Sequence, residues 1–80
     1  MTGRRVDVEP HLYEPGDYGS WGGTWYCRPP WQHDALGNLD GHTVVEHLDR
    51  TISVTPSILI TRPGLGQWHG FLTYGVWREC

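Results

Sequence analysis

Apolar and polar positions alternate most clearly in the last third of the chain. Thr51-Ile-Ser-Val-Thr55 sets Ile52 and Val54 on one face and Thr51, Ser53 and Thr55 on the other, the period of two that a half-buried strand requires. Pro56 has no donor for a ladder, so the chain is expected to bend there before Ile58 and Ile60 resume. Pro63-Gly-Leu-Gly66 reads as a loop. Gln67 to Cys80 then reads as two strands, with Leu72 and Val76 flanking a three-residue hairpin loop, Thr73-Tyr74-Gly75, whose glycine takes the left-handed position. Alternation within the first of these strands sets His69 beside Phe71 and opposite Trp68.

Upstream, His42-Thr-Val-Val-Glu-His47 predicts a strand that Asp49-Arg50 turns back toward Thr51. An arginine in the left-handed region costs about 1–2 kcal/mol, so a looser turn that includes Leu48 is expected. The earliest strand is read from Trp21-Gly-Gly-Thr-Trp-Tyr-Cys-Arg28, with Trp25 and Cys27 on one face and Thr24 and Tyr26 on the other. Gly22-Gly23 marks a bulge or turn and Pro29-Pro30 ends the strand. Gln32 to Gly41 reads as a polar loop or one short helical turn, with turns at Gly37-Asn38 and Asp40-Gly41. Before all of this, Pro10, Pro15, Gly16 and Gly19 loosen residues 1–20 into an extended N-terminal arm, acidic at Asp7, Glu9, Glu14 and Asp17. The pattern therefore predicts an arm over 1–20 and a β domain over 21–80. Its fold class is all-β, a small twisted antiparallel sheet or open barrel of about five strands. Such sheets leave edges, which the arm or a second subunit would cover.

Composition sharpens this picture. With 80 residues there is room for one small core, and chains of this size gain stability from disulfides, a metal or self-association. Five tryptophans, Trp21, Trp25, Trp31, Trp68 and Trp77, are many for that length, so they either make the core or face a partner. The net charge is −3, and the six arginines are scattered with no lysine among them. A nucleic-acid partner needs a concentrated basic face, so that class is discounted. No apolar run reaches a membrane-spanning length, and a soluble, unexported protein is expected, with Cys27 and Cys80 as thiols.

Candidate chemistry is sparse. Structural zinc sites use paired cysteines, whereas the ligand-capable residues here, Cys27, Cys80, His11, His33, His42, His47 and His69, have no such spacing. A Ser57, His69 and Asp49 triad can be assembled on paper, but Ser57 after Pro56 is more simply a bend residue. No glycine loop is followed by the lysine and helix of a phosphate cradle. No catalytic residue, metal ligand or cofactor is assigned.

Asp49-x-Thr-Ile-x-Val-x-Pro-Ser-Ile58, a loop, and then Trp68-His-Gly-Phe-Leu-x-x-Gly-Val-Trp77 form a pattern that resembles a family of small uncharacterised phage and bacterial proteins. These proteins carry a Ser/Thr-Pro-Ser-Ile strand followed by a Trp-His or Cys-His hairpin. The resemblance covers about His42 to Trp77, with Trp25-Tyr-Cys27 a weaker match. Members often have further cysteines before the histidine; here Trp68 occupies that place, which departs from a zinc-binding pattern. The family implies a fold and a phage setting, and no activity. The resulting expectation is a non-enzymatic interaction module, a virion or assembly component in the virion or host cytoplasm. It would bind a protein surface, or itself as an oligomer, through its arm and hairpin, with Trp68, His69, Phe71, Tyr74, Trp77 and Arg78 as the contact residues. Two rival readings are a binder of a signalling nucleotide, which needs an aromatic-lined pocket with at least two arginines, and a small zinc module.

Overall fold

In the computed structural model, which describes Met1–Cys80, eight strands form two sheets of four. The first holds β1 (Arg4–Arg5), β2 (Asp17–Trp21), β3 (Thr24–Cys27) and β4 (Gly37–Asn38), in that order. The second holds β5 (Thr43–Glu46), β6 (Ile52–Arg62), β7 (Gly66–Thr73) and β8 (Val76–Glu79), also in order. The all-β class is as the alternation predicted. The single sheet or open barrel of about five strands is not: neither sheet closes, and the two pack face to face. The only helical turn is a 3-10 turn at Pro10–Leu12, and no helix is long and apolar enough to cross a membrane.

Period-two alternation decides what fills the space between the sheets. From the second sheet come Ile52, Val54, Ile58, Ile60, Trp68, Leu72 and Trp77; from the first come Tyr18 and Cys27, with Ala35 and Leu39 from the loop that contains β4. Trp68 and Trp77 meet edge to face, 5.5 Å between ring centroids, an arrangement favoured by the ring quadrupoles. Trp77 also closes the sandwich with a polar bond. Its indole Nε1 donates to the carbonyl of Gly16 at 2.9 Å in a buried setting. A Cβ on Gly3 would stand 2.7 Å from that Nε1 and 2.9 Å from the Gly16 oxygen, so only glycine lets the backbone pass this close.

The first 20 residues are not an arm. β2 lies within the expected arm and pairs antiparallel with β3, Tyr18 opposite Cys27 and Trp21 opposite Thr24, so a boundary at residue 20 would cut a strand. Gly22 and Gly23, both with positive φ, make the two-residue turn between them. β1 pairs with β2 in parallel, Arg4 opposite Asp17, where an all-antiparallel arrangement was expected. Residues 6–16 make the crossover that a parallel pair requires. They fold over the outer face of the first sheet, with Tyr13 buried beside Gly19, where a Cβ would lie 2.7 Å from its hydroxyl. The buried Asp17 carboxylate is fully engaged, taking Arg4 Nε and Nη2 at 3.1 Å each and the Glu14 amide at 2.9 Å. Met1–Gly3 do cover an edge, as expected of an arm, but it is the edge of β8 in the same chain: the Trp77 amide donates to Met1 and the Gly3 amide to Gly75. Arg5 ties the sheets together at the other side, pairing with Glu46, donating to the Arg50 carbonyl and lying 5.0 Å over the Trp25 ring.

Two turns differ from expectation. Thr73 pairs with Val76, so the β7–β8 loop is two residues long, and both Tyr74 (φ 47°) and Gly75 (φ 71°) are left-handed, as a type I′ turn demands. The β5–β6 turn does include Leu48. Yet Arg50 adopts φ 72° at its end, the conformation the sequence reading held to be costly. Side-chain acceptance offsets part of that cost: Asp49 Oδ1 takes the Thr51 amide at 3.0 Å and its hydroxyl at 2.6 Å. These two bonds hold the Asp49 carboxyl below its usual value.

Two substitutions test this account by thermal or urea unfolding. Gly3→Ala is expected to destabilise by about 1–3 kcal/mol, since the neighbours of the new methyl are largely backbone and a buried ring. Arg50→Gly is expected to stabilise by about 1 kcal/mol by relieving the left-handed arginine.

Candidate functional site

The outer face of the second sheet is the part of the molecule whose surface departs from the ordinary. Alternation that sends Ile52, Val54, Ile58, Ile60, Trp68, Leu72 and Trp77 inward sends Val45, Ser53, Leu59, His69, Phe71, Val76 and Arg78 outward. Phe71 is directly opposite Arg78, with Leu59 and Val76 on its diagonals. Phe71 is 40% exposed, Leu59 56%, Val45 51%, Val76 41% and Tyr74 61%. In a sandwich this face is normally the polar one.

The residues predicted for contact therefore split. Phe71, Tyr74 and Arg78 are exposed and His69 is half-buried, all on the outer face or its turn. Trp68 and Trp77, 1% and 2% exposed, face the core and offer nothing to a partner. Of the other tryptophans, Trp21 is exposed, Trp25 is half-buried beneath Arg5, and Trp31 is half-buried edge-on to His33. The sequence reading passed over Leu59, Val45 and Val76. Strict alternation through Ser57-Ile-Leu-Ile-Thr61 and Val44-Val45 was the signal that points them outward.

Two serine–histidine pairs stiffen the same face. His47 Nε2 lies 2.8 Å from Ser53 Oγ, which also accepts the Tyr74 amide at 2.9 Å, and the Tyr74 ring stacks on His47 at 3.8 Å and 9°. These contacts hold a bulky residue in its left-handed turn. At the other end His69 Nε2 lies 2.8 Å from Ser57 Oγ and His42 Nε2 lies 3.2 Å from the Ser57 carbonyl. Ser57 sits where the β6–β7 register shifts between Val54 and Ile58, just after the cis Thr55–Pro56 bond. The break that Pro56 predicted is thus a bulge within one long strand. Asp49 is not the third member of a triad with this pair; its carboxylate is spent on Thr51 in the β5–β6 turn, and no carboxylate bonds His69.

Elsewhere, one cleft of about 360 Å³ is lined by Pro10, His11, Tyr13, Arg28, Asp34 and Leu36. It holds one arginine, Arg28, and one aromatic ring, Tyr13, where the nucleotide reading required an aromatic-lined pocket with at least two arginines. No three His, Cys, Asp or Glu side chains converge in a metal-binding geometry. Comparison of the chain with protein-family models, with curated proteins and with solved structures finds no match.

The two cysteines are thiols in contrasting settings, Cys27 in the core and Cys80 exposed. Burial pushes the Cys27 thiol from 9.0 up to about 12. Burial raises the Tyr13 and Tyr18 hydroxyls above 10.0 as well. The folded chain then holds these protons where the unfolded chain has released them, so their stabilisation is complete below pH 9.0 and declines as pH rises toward about 12. Native protein at pH 8 is expected to show one thiol, Cys80, reactive toward a maleimide or disulfide reagent, with Cys27 reacting only at the rate of unfolding. Denaturant midpoints are expected to fall steadily above pH 9.

Proposed function

We propose that the protein is a non-enzymatic interaction module that assembles head to tail. The outer face of its second sheet receives the N-terminal segment of the next copy. A phage virion or assembly component is the setting that the sequence resemblance implies. The observation that carries this reading is an asymmetry between the two sheets. The first has its outer face clothed by the chain's own residues 6–16, while the second leaves Leu59, Phe71 and Val76 bare around Arg78. Exposed apolar surface with an aromatic and an arginine at its centre is the composition of a binding hot spot.

Charge supports the choice of occupant. The outer-face positions of β5 to β8 include Arg78 and no carboxylate side chain. Two copies meeting through the same face would bring two Arg78 side chains into one contact that holds no carboxylate. The N-terminal crossover offers the complement: Val8 and Leu12 are exposed, 40% and 57%, and Asp7, Glu9 and Glu14 beside them are exposed too, in solvent-facing pairs with Arg50, His11 and Arg4 that Arg78 would compete for. A contact between two different patches of one chain propagates, which is what a ring or lattice component needs.

Light scattering across a concentration series tests this. Wild-type mass is expected to rise with concentration. Phe71→Ser and Leu12→Ser should each remain monomeric while keeping stability within about 0.5 kcal/mol of wild type. Mixing the two variants should restore a dimer and nothing larger, because each retains one intact half of the contact. A wild-type protein that stays monomeric up to about 1 mM, where an interface worth more than about 4 kcal/mol would register, sinks the proposal.

A further inference from the structure

The cleft between the 3-10 turn and the loop after β3 lies away from the outer face of the second sheet, beside the N-terminal half of the proposed contact, and has its own chemistry. Its rim is held in place. Arg62 reaches across from β6, donating through Nε to the Asp34 carbonyl at 2.7 Å and through Nη2 to the Leu36 carbonyl at 3.2 Å. On the opposite wall Arg28 Nη1 donates to the Tyr13 carbonyl at 2.6 Å. Pro10, Tyr13 and Leu36 supply apolar surface, and the volume of about 360 Å³ is within the range of small-molecule sites.

Two opposite charges line this cleft without neutralising each other. Arg28 belongs to none of the ion pairs of the fold, and neither does Asp34. The Arg28 Nε is buried and bonded to nothing, an N–H left without the partner that buried donors nearly always have. The Asp34 carboxylate is exposed and takes no hydrogen bond from the chain; only its backbone oxygen is used. Of the other titratable residues of the lining, His11 faces its own partner, Glu9, at 3.5 Å, and Tyr13 is buried with its hydroxyl beside Gly19.

We propose that this cleft binds a small zwitterion of amino-acid size, its carboxylate on Arg28 Nη2, which donates to no group of the chain, and its ammonium on Asp34. A guanidinium edge matches a carboxylate in geometry and charge. Asp34 selects for a cation at the other end and against phosphates and other polyanions, which would bring like charge to the carboxylate. An uncharged apolar ligand would leave both groups stranded.

The experiment follows backbone amide shifts of the full chain by two-dimensional NMR, using the Phe71→Ser variant so that assembly does not intrude. The probes are glycine and 4-aminobutyrate, with butyrate, butylamine and inorganic phosphate as single-sign controls. At least one zwitterion is expected to saturate, moving the amides of Arg28, Asp34 and Leu36, and to bind about tenfold more tightly than butyrate or butylamine. Asp34→Asn and Arg28→Gln should each weaken it about tenfold with shifts elsewhere unchanged; Asp34 is exposed, so its replacement leaves the fold intact. Butyrate binding as tightly as either zwitterion, phosphate binding more tightly, or no saturable shift at the cleft amides would each overturn the proposal.

Discussion

The bond from the Trp77 indole N–H to the Gly16 carbonyl is the joint on which the two sheets hang. Around it meet Gly3 from the start of the chain, Gly16 from the entry to β2, and Gly75 from the last turn. The same Gly16 oxygen accepts the Arg4 amide at 3.1 Å, which positions β1 beside β2. Trp77 thus does two things that a leucine cannot: it fills the core against Trp68 and it supplies a donor at depth. Because a buried indole N–H is costly unless it finds an acceptor, the bond ties the position of Trp77 in the second sheet to Gly16 at the entry to the first. Gly3 is a consequence of that approach.

From this joint the distribution of aromatic surface follows. The core admits two tryptophans and no more, since 18 of 80 residues are buried and the sheets are short. Trp25 is left at the margin and is shielded by Arg5, which uses its own fold-wide contacts to Glu46 and the Arg50 carbonyl to stay there. The first sheet, being mixed, needs a crossover, and that crossover doubles as the cover for its outer face. The second sheet is a plain antiparallel meander with tight turns, so it has no spare chain to cover its own. The bare face is a by-product of topology before it is a functional feature.

Much of this was legible in the residues. The β-branched alternation of Ile52 to Ile60 and the Val44-Val45 pair located the second sheet, and Pro56 its irregularity, because side-chain period and missing donors are local properties. Of the first sheet, β3 and the Gly22-Gly23 turn before it were legible from the Trp25 and Cys27 alternation; β1, β2 and β4 were not. Asp17-Tyr-Gly-Ser-Trp21 has no β-branched residue, and Gly16 and Gly19 read as looseness, whereas Gly16 holds φ 96° with Met1 against it and a Cβ on Gly19 would meet the Val6 carbonyl and the Tyr13 hydroxyl. The hairpin loop was read one residue too long because a tyrosine is a poor occupant of the left-handed region. Nothing local reveals that His47 and Ser53 hold it there. Of the expected contact residues, Phe71, Tyr74 and Arg78 are exposed, whereas Trp68 and Trp77 were grouped with them although alternation puts them on the other face. Large aromatics were weighted by size when parity was the better guide.

Size then links stability to the open face. A core this small leaves little reserve, and no disulfide supplements it. Some of the turns spend stability as well, with Arg50 and Tyr74 in the left-handed region. The outer face is where the missing reserve lies. Leu59, Phe71 and Val76 each keep at least two-fifths of their surface in water, and covering apolar surface returns about 25 cal/mol for each Å² removed from solvent. Binding there acts on the folded chain alone, because the face exists only when β6, β7 and β8 are paired, so association and folding are thermodynamically coupled. Under the proposed assembly, a neighbour seated on this sheet would therefore add to the stability of the fold, and the apolar surface it covers would supply the driving force.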